Sequence, residues 1–266
     1  MKLAHIQLAD GSTSLAVQGE EGRLFRALGD PLAGNVACTD EVLRPVRWLP
    51  PVAPRLIMCI GRNYAEHAAE SGAPLPEYPV LFMKNLSAAN GHEQPIRIPK
   101  VCSDEIDYEG ELAVVLKHAA RDVSPEAALE YVLGYMAAND VSARIWQSEK
   151  GGSQWNRGKG FDTFAPLGPV LVTADEIPDP QTLNIRTMLN GREVQHSNTR
   201  HMIFDVATLI SFLSQDTTLL PGTVILTGTP EGVGWARDPK LTMHPGDTVS
   251  VEIEKIGCLS NPVVAG

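Results

Sequence analysis

The apolar positions of this chain fall in short runs and period-two alternations, not in long helical stripes. Alternation over residues 2–7 and 12–27 predicts short strands of a small sheet. The continuous apolar run Leu56–Ile60 predicts a buried strand, and a short helix follows over Tyr64–Glu70. Further strands are expected at Tyr108–Leu116, Gly134–Val141, Thr223–Thr227 and Thr248–Glu254. Helices are expected at Pro125–Leu133, with Ser124 as N-cap, at Ser142–Lys150, and as an amphipathic segment at Phe204–Ser214. Between Leu183–Leu189 and Glu193–Ser197 stands Asn190-Gly191, the dipeptide suited to a two-residue hairpin turn whose central residues both need positive φ. The proline-rich RPVRWLPPVAP at 44–54 reads as a linker. The expected architecture is therefore α+β and β-rich, with a small N-terminal β domain over 1–50 and a larger unit over 51–266.

Composition narrows the function classes. With 266 residues, 43% hydrophobic and 20% charged, the chain has ordinary globular composition and length enough for a substantial core. Lys plus Arg number 22 against 32 Asp plus Glu, a net charge of −10, and no basic run occurs. Nucleic acid and an anionic membrane surface are thus not expected partners. No run of about 18 apolar residues exists to form a transmembrane helix. The N-terminal MKLAHIQLADGSTSL is broken by Asp10 and fits no signal peptide. Four scattered cysteines without a CxxC pair are expected to be reduced, in a cytoplasmic setting.

Chemistry concentrates in a few segments. In DYEGELAVVL, Glu109 and Glu111 sit two apart in an otherwise apolar strand, so their side chains project from one face. Two such carboxylates repel, and solvent, a shared proton or a bound cation must relieve them. Spacing alone leaves a solvated strand-edge pair open. Asp140, ending GYMAAND, is a candidate third member, and an all-oxygen set suits Mg²⁺ or Mn²⁺ before Ca²⁺. Arg144 and Gln147 follow three apart, placed to share a helix face and to offer donors to a carboxylate and an oxo oxygen. Lys159 lies in the glycine-flanked RGKGFDTFAPLGP, an unusual setting for a solvated lysine. In GRNYAEHAAESG, His67 and Glu70 at i, i+3 form a possible general-base pair, and Arg62 is a candidate substrate-binding cation. Gly72, Pro74, Pro76 and Pro79 follow, as in a flap that closes over a ligand. LTGTPEGVG at 226–234 ends a strand in a glycine-rich turn whose amides and Thr229 hydroxyl suit an anion, without the Lys-Ser/Thr of a phosphate loop.

In this order, GRNYAEHAAE, DYEGELAVVL, NDVSAR, RGKGFDTFAPLGP and LTGTPEGVG resemble the fumarylacetoacetate hydrolase family over residues 57–257. The stretch WQSEKGGSQWNRGKGFDTFAPLGP looks most similar to the second FAH-domain-containing mitochondrial paralogue of animals, associated with oxaloacetate keto-enol tautomerisation. The resemblance implies a β-rich mixed fold of β-sandwich or β-roll type, a homodimer, and Mg²⁺ or Mn²⁺ on Glu109, Glu111 and Asp140. It further implies that Lys159 and Gln147 face substrate, that Arg144 is a site arginine, that His67 with Glu70 is a lid dyad and that Thr229 contacts the substrate carboxylate. Two positions depart from the family pattern: MCIGRNY lacks an acidic ligand upstream of the lid histidine, and Ile145 stands where aspartate is common. The implied reaction is hydrolysis of the carbon-carbon bond of an acylpyruvate-like substrate, through the enolate of a 2-oxo acid. Oxaloacetate tautomerisation and decarboxylation share that enolate and stand as alternatives. An inactive metal- or ligand-binding homologue is the reading of another class.

Overall fold

The computed structural model describes residues 1–102 and 105–266. Its longer strands are β1 (Lys2–Gln7), β2 (Thr13–Gln18), β3 (Leu24–Leu28), β4 (Ala37–Leu43), β5 (Leu56–Gly61), β6 (Val80–Lys84), β7 (Gly110–Leu116) and β8 (Val132–Asn139). They continue with β9 (Ala165–Thr173), β10 (Asn184–Leu189), β11 (Arg192–Asn198), β12 (Thr223–Leu226), β13 (Thr248–Ile253) and β14 (Gly257–Ala265). Among the described residues four short α-helices punctuate them: α1 (Ala65–Glu70), α2 (Arg144–Gln147), α3 (Asn156–Lys159) and α4 (Val206–Leu213).

The large sheet runs β4-β3-β2-β1-β9-β8-β7-β12-β5-β6, with two short strands, Arg47–Leu49 and Ala89–Asn90, off this path. All its main pairings are antiparallel except β12 with β5, where Thr223 faces Leu56. A second sheet runs β11-β10-β13-β14 and ends on Ile96–Ile98. Every residue of β7 and β8 is buried, so these strands read as continuous apolar runs. Leu112, Val114 and Leu116 join one core with Leu209 and Ile210 of α4, while Ala113 and Val115 join another with Phe164 and Leu226. No helix among the described residues is long and apolar enough to cross a membrane.

The expected strands and the hairpin form, and Asn190 and Gly191 take φ of 53° and 76°. Three expectations are corrected. Pro125–Tyr131 is a 3₁₀ helix and Ser124 makes no side-chain cap; only Ala128 is buried there, too little of an apolar stripe to support an α-helix. The helix expected over Ser142–Lys150 is the single turn α2. The chain doubles back at once: a Cβ on Gly151 would lie 2.1 Å from the Trp146 carbonyl oxygen. The proline-rich segment read as a linker holds a strand, Arg47–Leu49, antiparallel to β1. β9, whose two prolines hide it in the sequence, lies mid-sheet, and its pairing with β8 shifts register beside Pro169. β1 pairs with β9 through Lys2–Val172 and Leu3–Leu171, so the first fifty residues extend the large sheet.

Candidate active site

The site forms where β7 begins and β8 ends. Glu109 and Glu111 flank Gly110, which faces Asn139 across the ladder, and Asp140 follows directly. Adjacent antiparallel strands thereby bring three carboxylates separated by 31 positions in sequence to one point, with ligand oxygens within 4.8 Å of one another. All three are buried. Lys159, the last residue of α3, places Nζ 2.6 Å from Glu109 Oε2 and 2.8 Å from Asp140 Oδ2. Lys84, the last residue of β6, lies 2.6 Å from Asp140 Oδ1 and donates to the Val141 and Lys159 carbonyls. Arg144 reaches Glu109 Oε1 at 2.7 Å. Glu111 accepts the Gly228 N–H at 2.7 Å but touches no cationic side chain among the described residues.

That asymmetry governs the electrostatics. Burial opposes ionisation of Glu109, yet the Lys159 and Arg144 cations outweigh it and hold its carboxyl down at about 2. Burial pushes the Glu111 carboxyl well above the usual range, and the charges of Asp140 and Glu109 push it further. Burial lowers Lys84, reinforced by the neighbouring Lys159. Lys159 also suffers from burial, but Asp140 and Glu109 overcome it and keep the ammonium protonated. A cluster of hard oxygen donors that is one cation short at Glu111 fits a divalent ion such as Mg²⁺ or Mn²⁺.

Arg144 is held without an aspartate at position 145. Asp107 takes its Nε at 2.9 Å and its Nη2 at 2.7 Å, and also accepts the backbone N–H groups of Tyr108, Gly234 and Trp235. Its Nη1 bonds the Gln147 side-chain oxygen at 3.1 Å, so the expected pair on α2 does share a face. His67 Nδ1 lies 2.8 Å from Glu70 Oε1, and the other Glu70 oxygen accepts the Gly232 N–H. Arg62 has φ of 56° and lies over the Trp155 ring at 5.5 Å, with no carboxylate partner among the described residues. Thr229 donates its hydroxyl to the Gly110 carbonyl and accepts from Gln195.

One cavity of about 500 Å³ collects Arg62, His67, Glu70, Glu109, Arg144, Gln147, Lys159 and Thr229 on its wall. Glu111 and Asp140 are not among its lining residues. Sequence reasoning missed Lys84, Asp107 and Gln195. Period-two alternation with the buried Phe82 was the available signal for Lys84, and Asp107 opens the acidic DYEGE run. Gln195 carried no local signal.

The profile described as Fumarylacetoacetate (FAA) hydrolase C-terminal matches residues 56–264. The oxaloacetate tautomerase fahd2 of Xenopus laevis, named as mitochondrial, is 49% identical over 211 residues, 79% of this chain and 66% of that protein. The structure of a 2-hydroxyhepta-2,4-diene-1,7-dioate isomerase from Mycobacterium marinum superposes with a TM-score of 0.84 at 38% identity, covering 100% of this chain and 98% of its own. A fumarylpyruvate hydrolase from Pseudomonas aeruginosa, solved with Mn²⁺ and pyruvate, does so at 0.73 and 32% identity, over 83% and 93%. These relatives differ in the reaction their names give while sharing sequence and fold over most of this length: the chain belongs to the fumarylacetoacetate hydrolase family.

Proposed function

We propose that this protein binds Mg²⁺ or Mn²⁺ at Glu109, Glu111 and Asp140 and interconverts the keto and enol forms of a small 2-oxo dicarboxylate such as oxaloacetate. The observation that carries this reading is Lys159, a buried ammonium between two of those carboxylates on the wall that also holds the His67–Glu70 pair. A bound divalent cation supplies Lewis-acid polarisation of the 2-oxo group. Lys159 spends two of its three N–H donors on Glu109 and Asp140, leaving one for the enolate oxygen. With Nδ1 tied to Glu70, His67 exchanges protons through Nε2. The C3 proton passes to that nitrogen, the C–H electron pair becomes the C2–C3 double bond, and the 2-oxo oxygen gains the charge that Lys159 meets. Protonation of that oxygen completes the enol, and the reverse steps regenerate the keto acid, so no co-reactant is consumed. Arg62 supplies the cation for the distal carboxylate.

Hydrolysis of an acylpyruvate, the reaction favoured from sequence, becomes the second reading because of the 49% identity to a protein named as a tautomerase. The Pseudomonas structure, a hydrolase holding Mn²⁺ and pyruvate, supports it. There His67 would deprotonate water instead of C3. Metal-loaded protein given enol-oxaloacetate is expected to accelerate the loss of enol absorbance without releasing pyruvate. His67→Ala is expected to lower that rate by about 10²–10⁴-fold while Mn²⁺ binding survives. Pyruvate released from acetylpyruvate would instead establish the hydrolase, and inactivity on both substrates would overturn the enolate reading.

A further inference from the structure

We propose that Gln195 is a positioning residue that fixes the mutual aim of Glu109 and Glu111 through a closed ring of hydrogen bonds with Gly110 and Thr229. The inference rests on the reading that these carboxylates hold the cation.

The ring is complete in three bonds. The Gly110 N–H donates to Gln195 Oε1 at 2.9 Å. Gln195 Nε2 donates to Thr229 Oγ1 at 2.8 Å, and the Thr229 hydroxyl donates to the Gly110 carbonyl at 3.0 Å. Gln195 Nε2 also donates to the Pro230 carbonyl at 2.9 Å, which fixes the amide's orientation: turned over, it would set its oxygen against that carbonyl and its NH₂ against the Gly110 N–H. Gln195 and Thr229 are each 2% exposed, so water does not compete for these bonds.

Gly110 is the residue between the two glutamates, and the ring grips both its N–H and its C=O. Rotation of either flanking peptide would swing one glutamate relative to the other. The backbone is also pressed against the second sheet. A Cβ on Gly110 would lie 2.1 Å from Thr187 Oγ1 on β10, where glycine alone fits. Gln195 stands on β11 of that same sheet, so the second sheet sets the geometry of carboxylates carried by the first. Thr229 then acts through Gly110. Its hydroxyl donates to that carbonyl and accepts from Gln195, so both of these contacts belong to the ring.

The test compares Gln195→Met, Thr229→Val, the double variant and Thr229→Ser, with Mn²⁺ affinity read by calorimetry and the melting of the metal-free protein read in parallel. Each broken ring should weaken Mn²⁺ by about 10–100-fold, as loss of a group that orients a ligand does. Because both residues serve one ring, the double variant should fall within about threefold of the weaker single variant. Thr229→Ser keeps the hydroxyl and should bind within about threefold of wild type, which a purely packing role for the methyl would not allow. Mn²⁺ affinities within twofold of wild type in both single variants, or penalties that multiply in the double, would overturn the proposal. If Gln195→Met does not fold, the contrast of Thr229→Val with Thr229→Ser decides alone. Wild-type protein that takes up no Mn²⁺ would remove the metal reading and this proposal with it, an outcome distinct from variants that bind normally.

Discussion

At the scale of single residues, Asp107 shows how the site is supported from behind. Its carboxylate is fully buried and meets five donors, three backbone N–H groups and two nitrogens of Arg144. A buried ion pair is weak evidence of net stability, since both charges lose their hydration. Removing Asp107 is different: Arg144 keeps Glu109 but loses the carboxylate that holds two of its nitrogens, and three buried backbone N–H groups lose their acceptor, at a cost of about 3–5 kcal/mol. Asp107→Ala is therefore expected to lower the unfolding free energy by about that amount in urea titrations, and a loss below about 1 kcal/mol would show that Arg144 re-pairs freely. Asp107, Lys84 and Gln195 share a reason for escaping the sequence. Asp107 holds a residue 37 positions away, Lys84 reaches Val141 and Lys159 at 57 and 75, and Gln195 reaches Gly110 at 85. The glutamates and the His67–Glu70 pair were legible because strand and helix periodicity already puts their members together.

At the scale of elements, α1 has six residues, too few to hold a helix by its own hydrogen bonds. Tertiary contacts hold it instead. Asn63 at its head donates to the Phe204 and Thr227 carbonyls and accepts the Phe204 N–H, while Glu70 at its end receives the Gly232 N–H. Glu70→Ala removes the second anchor along with the His67 contact. Amide hydrogen exchange is expected to quicken over residues 65–73 while β5, paired on both sides by β12 and β6, keeps its protection. Equal acceleration in β5 would mean global destabilisation, and no change at all would mean that Asn63 suffices. The same dependence explains which elements the sequence showed. Asn190-Gly191 carries its turn in its own dihedrals and was visible, whereas β9 is a strand only because β1 and β8 flank it. The 3₁₀ turn at Pro125–Tyr131 carries helical residues without the buried stripe that would make them α-helical.

For the whole molecule, the carboxylate cluster proposed to hold the cation is a place where function and stability oppose each other. Glu111 sits 1% exposed against the charges of Asp140 and Glu109, with a backbone N–H as its polar contact and no cationic side chain in contact with it among the described residues. In the metal-free protein its ionised form is disfavoured, so folding carries the cost of keeping it neutral or of keeping it charged. Glutamine has the same shape, can still accept the Gly228 N–H and carries no charge. Glu111→Gln should therefore melt no lower than wild type without metal. Mn²⁺ at a hundred times its Kd should stabilise the wild type by about 2.7 kcal/mol, a rise of roughly 5 °C for a chain of this size. The variant should show almost none of that rise, since it lacks the carboxylate whose charge the ion balances. Thermal melts of both proteins with and without Mn²⁺ give four numbers that decide the matter. A variant that melts well below wild type in the absence of metal would mean that the Glu111 carboxylate earns its place through an interaction within the protein. A variant that keeps the full Mn²⁺ increment would mean that the ion sits elsewhere.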